Sequence, residues 1–213
     1  MPRPLGRRNP DYEEKRERLA QDLADFVLKS ELKRTSFRQL AHAGAVAEPT
    51  LRHYFGDREG VAAELLRVLA DRAAPFINAV AEPGPDLESA VNGYVAASQA
   101  GVAHGGFARA HMFGLLEGVA DESVGQAYLT QLLEPSLSAL EKRLAAHLNG
   151  AASPVELRAA ALMIFAPMLL AVIHQKLLGG EEAAPMDLDK LFQALGDLAQ
   201  KSLKPDVRSK GAS

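Results

Sequence analysis

Three observations predict an all-α protein. Alanine and leucine supply 37 and 31 of the 213 residues; neither is β-branched, and both are strong helix formers. Apolar residues recur at helical spacing and no segment reads as a convincing strand. Helix punctuation also recurs, as in Asn9-Pro10, Ser153-Pro154 with Glu156, and Gly179-Gly180. The architecture expected is a three-helix N-terminal unit followed by a larger helical domain.

Residues 1–9 read as a disordered basic tail, with Arg3, Arg7 and Arg8 set among proline and glycine. Asn9-Pro10 reads as an N-cap with proline at the first helical position. Leu19, Leu23, Phe26 and Val27 then give a helix from about Asp11 to Leu32, with Glu13, Lys15, Arg16 and Arg18 on a charged outer face. Ser36 and Gln39 fit a capping box that opens a short helix, with Phe37, Leu40 and Ala41 on its apolar side. Gly44 breaks it. Pro49 lies in the first turn of a third helix carrying Thr50 to Phe55, where its missing N–H costs little. Gly56-Asp57 ends that helix and caps the next, which runs from Arg58 through Leu65, Leu66 and Leu69.

Glu82-Pro83-Gly84-Pro85 is a clear break. Beyond it, helices are expected over about 86–103, 107–120, 122–148, 154–178 and 187–203. Leu188, Leu191, Phe192, Leu195 and Leu198 form an apolar stripe on the last. Residues 205–213 read as a flexible tail.

Composition excludes several classes of function. Without cysteine there is no disulfide framework, thiolate zinc site or cysteine nucleophile. A net charge of −3 excludes a polycation that coats nucleic acid by charge alone. That charge is divided. Residues 1–72 hold 14 Lys/Arg and 12 Asp/Glu, a net of +2; residues 73–213 hold 10 and 15, a net of −5. The basic start lacks the apolar run of a secretory signal. The longest uncharged apolar run, Ala159 to Ile173, is shorter than the roughly 20 residues a bilayer span needs and contains Pro167. A cytoplasmic protein without a membrane contact is expected.

A phosphate-binding loop, a dinucleotide glycine fingerprint and a serine elbow are all missing, so no enzyme and no cofactor are expected. Glu117, Asp121 and Glu122 cluster at a helix junction and read as capping residues. No two of the six histidines (42, 53, 104, 111, 147 and 174) stand four apart, so no metal site is expected.

Two short helices joined by a tight turn within a three-helix unit have the geometry of a helix-turn-helix, whose second helix reads the major groove of DNA. That second helix presents Thr50, Arg52, His53 and Tyr54, while Leu51 and Phe55 anchor it. Arg58 opens the next helix beside free backbone N–H groups, where a phosphate is favoured.

Residues 36–61, SFRQLAHAGAVAEPTLRHYFGDREGV, resemble the N-terminal motif of the TetR family of transcriptional regulators, L-A-x-x-A-G-V followed by S-x-x-T-L-Y-x-Y-F and then x-x-K. Leu40, Ala41 and Val46 match the turn, and Thr50, Leu51, Tyr54 and Phe55 match the recognition helix. Pro49-Thr50-Leu51 resembles the tetracycline-repressor branch. The resemblance covers about residues 10–62. Four positions depart from it: Gly44-Ala45 reverses the usual Ala-Gly, Ala47 replaces the N-cap Ser/Thr, Arg52 replaces a common Tyr, and Arg58 replaces Lys.

The resemblance implies a DNA-binding domain over 10–57 and a ligand-binding and dimerisation domain over 58–204, with 58–80 as the connecting helix. Its candidate DNA contacts are Ser36, Arg38, Glu48, Pro49, Thr50, Arg52, His53, Tyr54 and Arg58. Glu48 has two readings: it repels phosphate, or it accepts from a cytosine amino group. Arg3, Arg7 and Arg8 either track phosphates or form a tail without a specific contact.

Candidate pocket residues are His104, Phe107, His111, Phe113, Phe165 and His174, with Phe76, Tyr94, Met112, Tyr128, Met163 and Met168 as further walls. The histidines are either polar groups inside the cavity or residues at helix ends and interfaces. Leu188, Leu191, Phe192 and Leu195 are expected at a dimer interface, with packing inside their own subunit as the alternative. The function implied is a homodimeric repressor that binds operator DNA and is released by a small apolar or aromatic effector. The alternative is a helical small-molecule-binding protein or enzyme that keeps its N-terminal helices only as structure. The weak positive charge, the uncapped third helix and Glu48 motivate it.

Overall fold

The structure, a computed structural model, describes residues 10–29, 34–104, 106–148 and 152–203. Both expected tails and the expected end of the first helix at Leu32 lie outside the described residues. The helices are α1 Pro10–Lys29, α2 Phe37–Ala43, α3 Glu48–Phe55, α4 Arg58–Ala81, α5 Leu87–His104, α6 Gly106–Gly118, α7 Glu122–Tyr128, α8 Glu134–Ala145, α9 Pro154–Val172, α10 Gly180–Ala183 and α11 Leu188–Leu203. No strand occurs among the described residues. The protein is all-α.

Two π-helical turns interrupt what the sequence reads as continuous helices. Leu129–Leu133 joins α7 to α8, and Ile173–Leu177 extends α9. Pro135, which has no N–H to offer the carbonyl of Gln131, follows the first turn by two residues. The second ends near Gly179, whose φ of 76° stops the helix.

The chain forms two compact units: Met1–Arg72 with Ala110–Leu132, and Ala73–Arg109 with Leu133–Ser213. These bounds differ from the linear division at residue 57 expected from the sequence. The start of α4 and residues 110–132 join the N-terminal helices.

In the first unit, Leu19, Leu23, Leu40, Leu51, Leu65 and Leu66 are buried. Around them lies a network of ion pairs. Arg16 binds Glu64, Arg67 binds Glu17, Glu64 and Asp71, and Arg72 binds Asp25. Small residues let α6 and α7 approach closely. A Cβ on Gly114 would stand 2.1 Å from the Tyr128 ring, and one on Gly118 2.8 Å from Gly125 Cα. Asp121 caps α7 by accepting from Val124 N, as the sequence suggests. Tyr128 reaches the fully buried His111, with its hydroxyl 2.9 Å from Nδ1.

In the second unit, α5, α8, α9 and α11 pack around Val91, Tyr94, Leu140, Leu144, Ile164 and Phe192. The Ser153–Glu156 capping box opens α9. Arg143 is buried without a carboxylate. Its guanidinium donates to the carbonyls of Val80 (3.1 Å), Glu82 (2.7 Å) and Ala90 (2.6 Å), closing the C-terminal end of α4. Gly93 leaves it room, because a Cβ there would stand 2.2 Å from the guanidinium.

Pro154–Leu177 is a continuous 24-residue helix, long and apolar enough to cross a membrane by length and composition. The shorter run noted in the sequence underestimates it, since Glu156 and Arg158 break the run without ending the helix. Ala161, Ile164, Phe165 and Met168 place one side of it in the core of the second unit, which accounts for much of its apolar character.

Burial holds the His111 imidazole down to about 3, against about 6.5 for a free histidine. Below about pH 6.5 the unfolded chain takes up a proton that the folded chain refuses until about pH 3. The neutral ring therefore supports folding above pH 6.5, and this support declines as the pH falls toward 3. Urea unfolding at pH 7.5 and at pH 5.0 should differ by about 2 kcal/mol more in the native chain than in His111→Asn. Equal losses in the two chains would show that this histidine does not set the acid response.

Candidate functional site

Helix α2 is fixed at its start by local chemistry. Ser36 Oγ accepts from Gln39 N at 3.2 Å, and Gln39 Oε1 accepts from Ser36 N at 2.9 Å. The Ser36 hydroxyl also donates to Gln39 Oε1, so this expected DNA contact is engaged in the cap. Gly44 ends α2 with an ordinary φ of −80°. Its glycine is needed for packing, because a Cβ would stand 2.5 Å from Leu19 Cδ1. The left-handed step falls instead on Ala45, at φ 51°. The inverted Gly-Ala order thus satisfies α1 and strains the next residue by about 1–2 kcal/mol. Val46 N returns to Ala41 O at 3.0 Å and closes the turn. Ala47 makes no side-chain cap, as its side chain requires.

Leu51 is fully buried and anchors α3. Glu48, Pro49, Thr50, Arg52 and His53 are exposed, as is Arg38 on α2. Arg52 lies over the Phe37 ring at 5.0 Å. Tyr54 is half-buried beside Tyr12 of α1, with ring centroids 5.0 Å apart, and His53 meets the same ring edge-on at 5.4 Å. Tyr12 therefore orients two of the expected contacts. An open groove lies along this face, lined by Lys15, Arg18, Asp22, Thr50 and Tyr54 among others. The charged face of α1 was legible in the sequence; its place beside α3 depends on how the three helices pack.

Arg58, expected to meet a phosphate, is held within the protein. Its guanidinium makes two 2.6 Å bonds to the buried carboxylate of Glu117 and a third, of 2.8 Å, to the carbonyl of Thr35. Arg34 reaches the same carboxylate at 3.2 Å. Glu117 holds the Arg58 guanidinium above the usual arginine range. Glu117 thus forms an ion pair rather than the helix cap read from the sequence. The pairing spans 59 residues and leaves no local signal.

The second unit contains a partly open apolar cavity of about 40 Å³, lined by Phe76, Tyr94, Phe107, Phe165, Met168 and Phe192 among others. Phe76 and Phe107 stack at 5.0 Å. Of the five pocket candidates with described side chains, Phe107 and Phe165 line it. His111 and Phe113 are buried in the first unit. His174 sits in the second π turn, 2.8 Å from the Gln175 amide. The side chain of His104 lies outside the described ones.

In the single chain, the stripe expected at a dimer interface lies against this unit's own core. Phe192 is fully buried and lines the cavity, and Leu188, Leu191 and Leu195 pack beside it. The large apolar residues left exposed in this unit include Val155, Leu162, Met163 and Leu170 on α9, Leu178 and Met186 beyond it, and Leu198 on α11. Among the described residues, no group of three or more His, Asp or Glu could hold a metal.

No protein-family model and no curated protein matches this chain. Solved structures do. A TetR-family transcriptional regulator from Mesorhizobium loti superposes with a TM-score of 0.63 at 13% identity, over 92% of this chain and 97% of that one. A TetR-family regulator from Rhodococcus sp. gives 0.63 at 13%, over 88% and 99%. The fatty acid degradation regulator FadR from Bacillus halodurans gives 0.56 at 18%, over 92% and 97%. The fold is that of TetR-family transcriptional regulators over nearly the full length.

Replacing Ala45 with glycine should raise the unfolding free energy by about 1 kcal/mol, since glycine adopts the left-handed conformation without a Cβ clash. Gly44→Ala should lower it by a similar amount or more, by pressing on Leu19. Denaturant melts of the two variants check both signs.

Proposed function

We propose that this chain is a homodimeric, non-enzymatic transcriptional regulator acting in the cytoplasm. It binds double-stranded operator DNA through α3 and is released by a small apolar or aromatic effector. The observation that carries the reading is the helix-turn-helix itself. A two-turn α3 is anchored by Leu51, stiffened by Tyr12 and Phe37, and exposes Thr50, Arg52 and His53 on one short element. A helix of this width fits the major groove. Arg52, Thr50 and His53 are assigned to base edges, and Arg38, Lys15, Arg18 and Tyr54 to phosphates. Glu48 and Pro49 open α3 at the groove. Arg58 acts on DNA indirectly, by positioning the helices that carry these groups.

The effector site is assigned to the cavity of the second unit. Helix α6 contributes Phe107 to that cavity and Glu117 to the ion pairs of the first unit. An effector that binds the two DNA affinities unequally shifts the population; equal binding shifts nothing. The second copy is assigned to the exposed face of α9. Val155, Leu162, Met163 and Leu170, with the exposed Ala159 and Ala166 between them, form one apolar stripe along the helix. A stripe of this extent marks an association surface.

Fluorescence anisotropy on the DNA flanking the gene tests the DNA reading. Arg52→Ala should weaken specific binding by roughly 1–3 kcal/mol and relax preference at one base position. Arg18→Ala should weaken all sequences alike and reduce the slope of log affinity against log salt by about 1. A native chain that forms no salt-sensitive, sequence-preferring complex would overturn the assignment. Separately, Leu170→Glu with Met163→Glu should convert a dimer to a folded monomer in sedimentation equilibrium and abolish high-affinity DNA binding. A variant that stays dimeric would place the interface elsewhere.

A further inference from the structure

The cavity of the second unit carries chemical information beyond its size. Its described lining holds no charged side chain. Arg143 is buried in the same unit, but its guanidinium is engaged with backbone carbonyls and it does not line the cavity. The polar side chains in the described lining are Tyr94 and Ser98. They stand one helical turn apart on α5, and Ser98 hydrogen-bonds the Tyr94 hydroxyl. Five aromatic rings converge on the space: Phe76, Tyr94, Phe107, Phe165 and Phe192.

Each feature selects against a class of ligand. A carboxylate or ammonium entering such a cavity loses its hydration shell and meets no opposite charge. The burial that surrounds Tyr94 pushes its phenol up to about 12, so the ring stays neutral at physiological pH and keeps its proton. The neutral Tyr94 phenol carries a hydroxyl proton with which to meet an acceptor. Aromatic walls favour a flat ring in edge or offset contact.

We infer that the cavity takes a neutral aromatic molecule carrying one hydrogen-bond acceptor, such as a carbonyl or ester oxygen, which Tyr94 meets, and that it rejects the corresponding anion. The inference rests on reading the cavity as the effector site and names the chemistry of its occupant. It separates this site from one built for a free carboxylic acid, which would need a buried cation.

Isothermal titration at pH 8.0 with three matched probes tests it: methyl 2-naphthoate, 2-naphthoate and 2-ethylnaphthalene. The ester should bind at least ten-fold more tightly than the carboxylate. Tyr94→Phe should weaken the ester about three- to ten-fold and leave the hydrocarbon unchanged. Met168→Trp, which fills the cavity, should abolish binding of all three; the conservative Tyr94 variant remains informative should that larger change unfold the chain. A carboxylate that binds as tightly as the ester, with Met168→Trp still blocking it, overturns the inference and leaves the effector reading standing. Equal losses of ester and hydrocarbon in Tyr94→Phe overturn the role of the hydroxyl. If no probe binds the native chain, the effector reading of the cavity falls and this inference falls with it.

Discussion

A single buried carboxylate organises the first unit. Burying a charge is costly unless it is paired and hydrogen-bonded, and Glu117 is almost completely shielded from solvent. Its demand is met by Arg58 at the first turn of α4 and by Arg34 ahead of α2. Arg58 then spends its remaining bond on the carbonyl of Thr35, the residue next to the α2 N-cap. One ion pair therefore sets the start of α4, the approach to α2 and the end of α6 together. Everything on the reading face follows in order: the Ser36 cap, the Gly44 contact with Leu19, the Ala45 turn and the anchor at Leu51. Removing one partner of such a buried pair generally costs about 3–5 kcal/mol, because the other charge is left without compensation.

What could be read from the sequence is what is local. The capping boxes at Ser36–Gln39 and Ser153–Glu156 are complete within four residues, so their chemistry is written in the spacing. The same holds for the Asp121 cap and the missing cap at Ala47. The fold class follows from composition and periodicity, and the solved structures bear it out. Long-range partners are another matter. Nothing near Arg58 announces Glu117, and the phosphate contact assigned to it rested on position alone. His111 and Phe113 are apolar-face residues of α6 like Phe107, yet they fall in a different unit. Periodicity gives a helix its face and does not say which surface that face will meet.

The last helix shows the same limit most clearly. Leu188, Leu191, Phe192 and Leu195 form a stripe that suits either an internal core or a second chain. In the single chain Phe192 enters the core and the three leucines lie half-buried beside it, with Gly196 so placed that a Cβ would come within 2.9 Å of Val95. On α9 the pattern is different, because the helix is apolar on nearly all sides. One side fills the core, and the other remains as the exposed stripe. Composition alone suggests a short hydrophobic run there; the packing buries one face of the helix and leaves the other exposed.

The way Arg143 is held has a consequence for how the two units respond to acid. The first unit is bound together largely by carboxylates, among them Glu17, Glu64, Asp71, Asp25 and Glu117, and each loses its partner's attraction once protonated. The anchor of the second unit has no proton to gain. Its partners are peptide carbonyls, and the guanidinium stays charged across the whole acid range. Protonating these carboxylates would remove ion pairs of the first unit and leave the Arg143 anchor of the second intact.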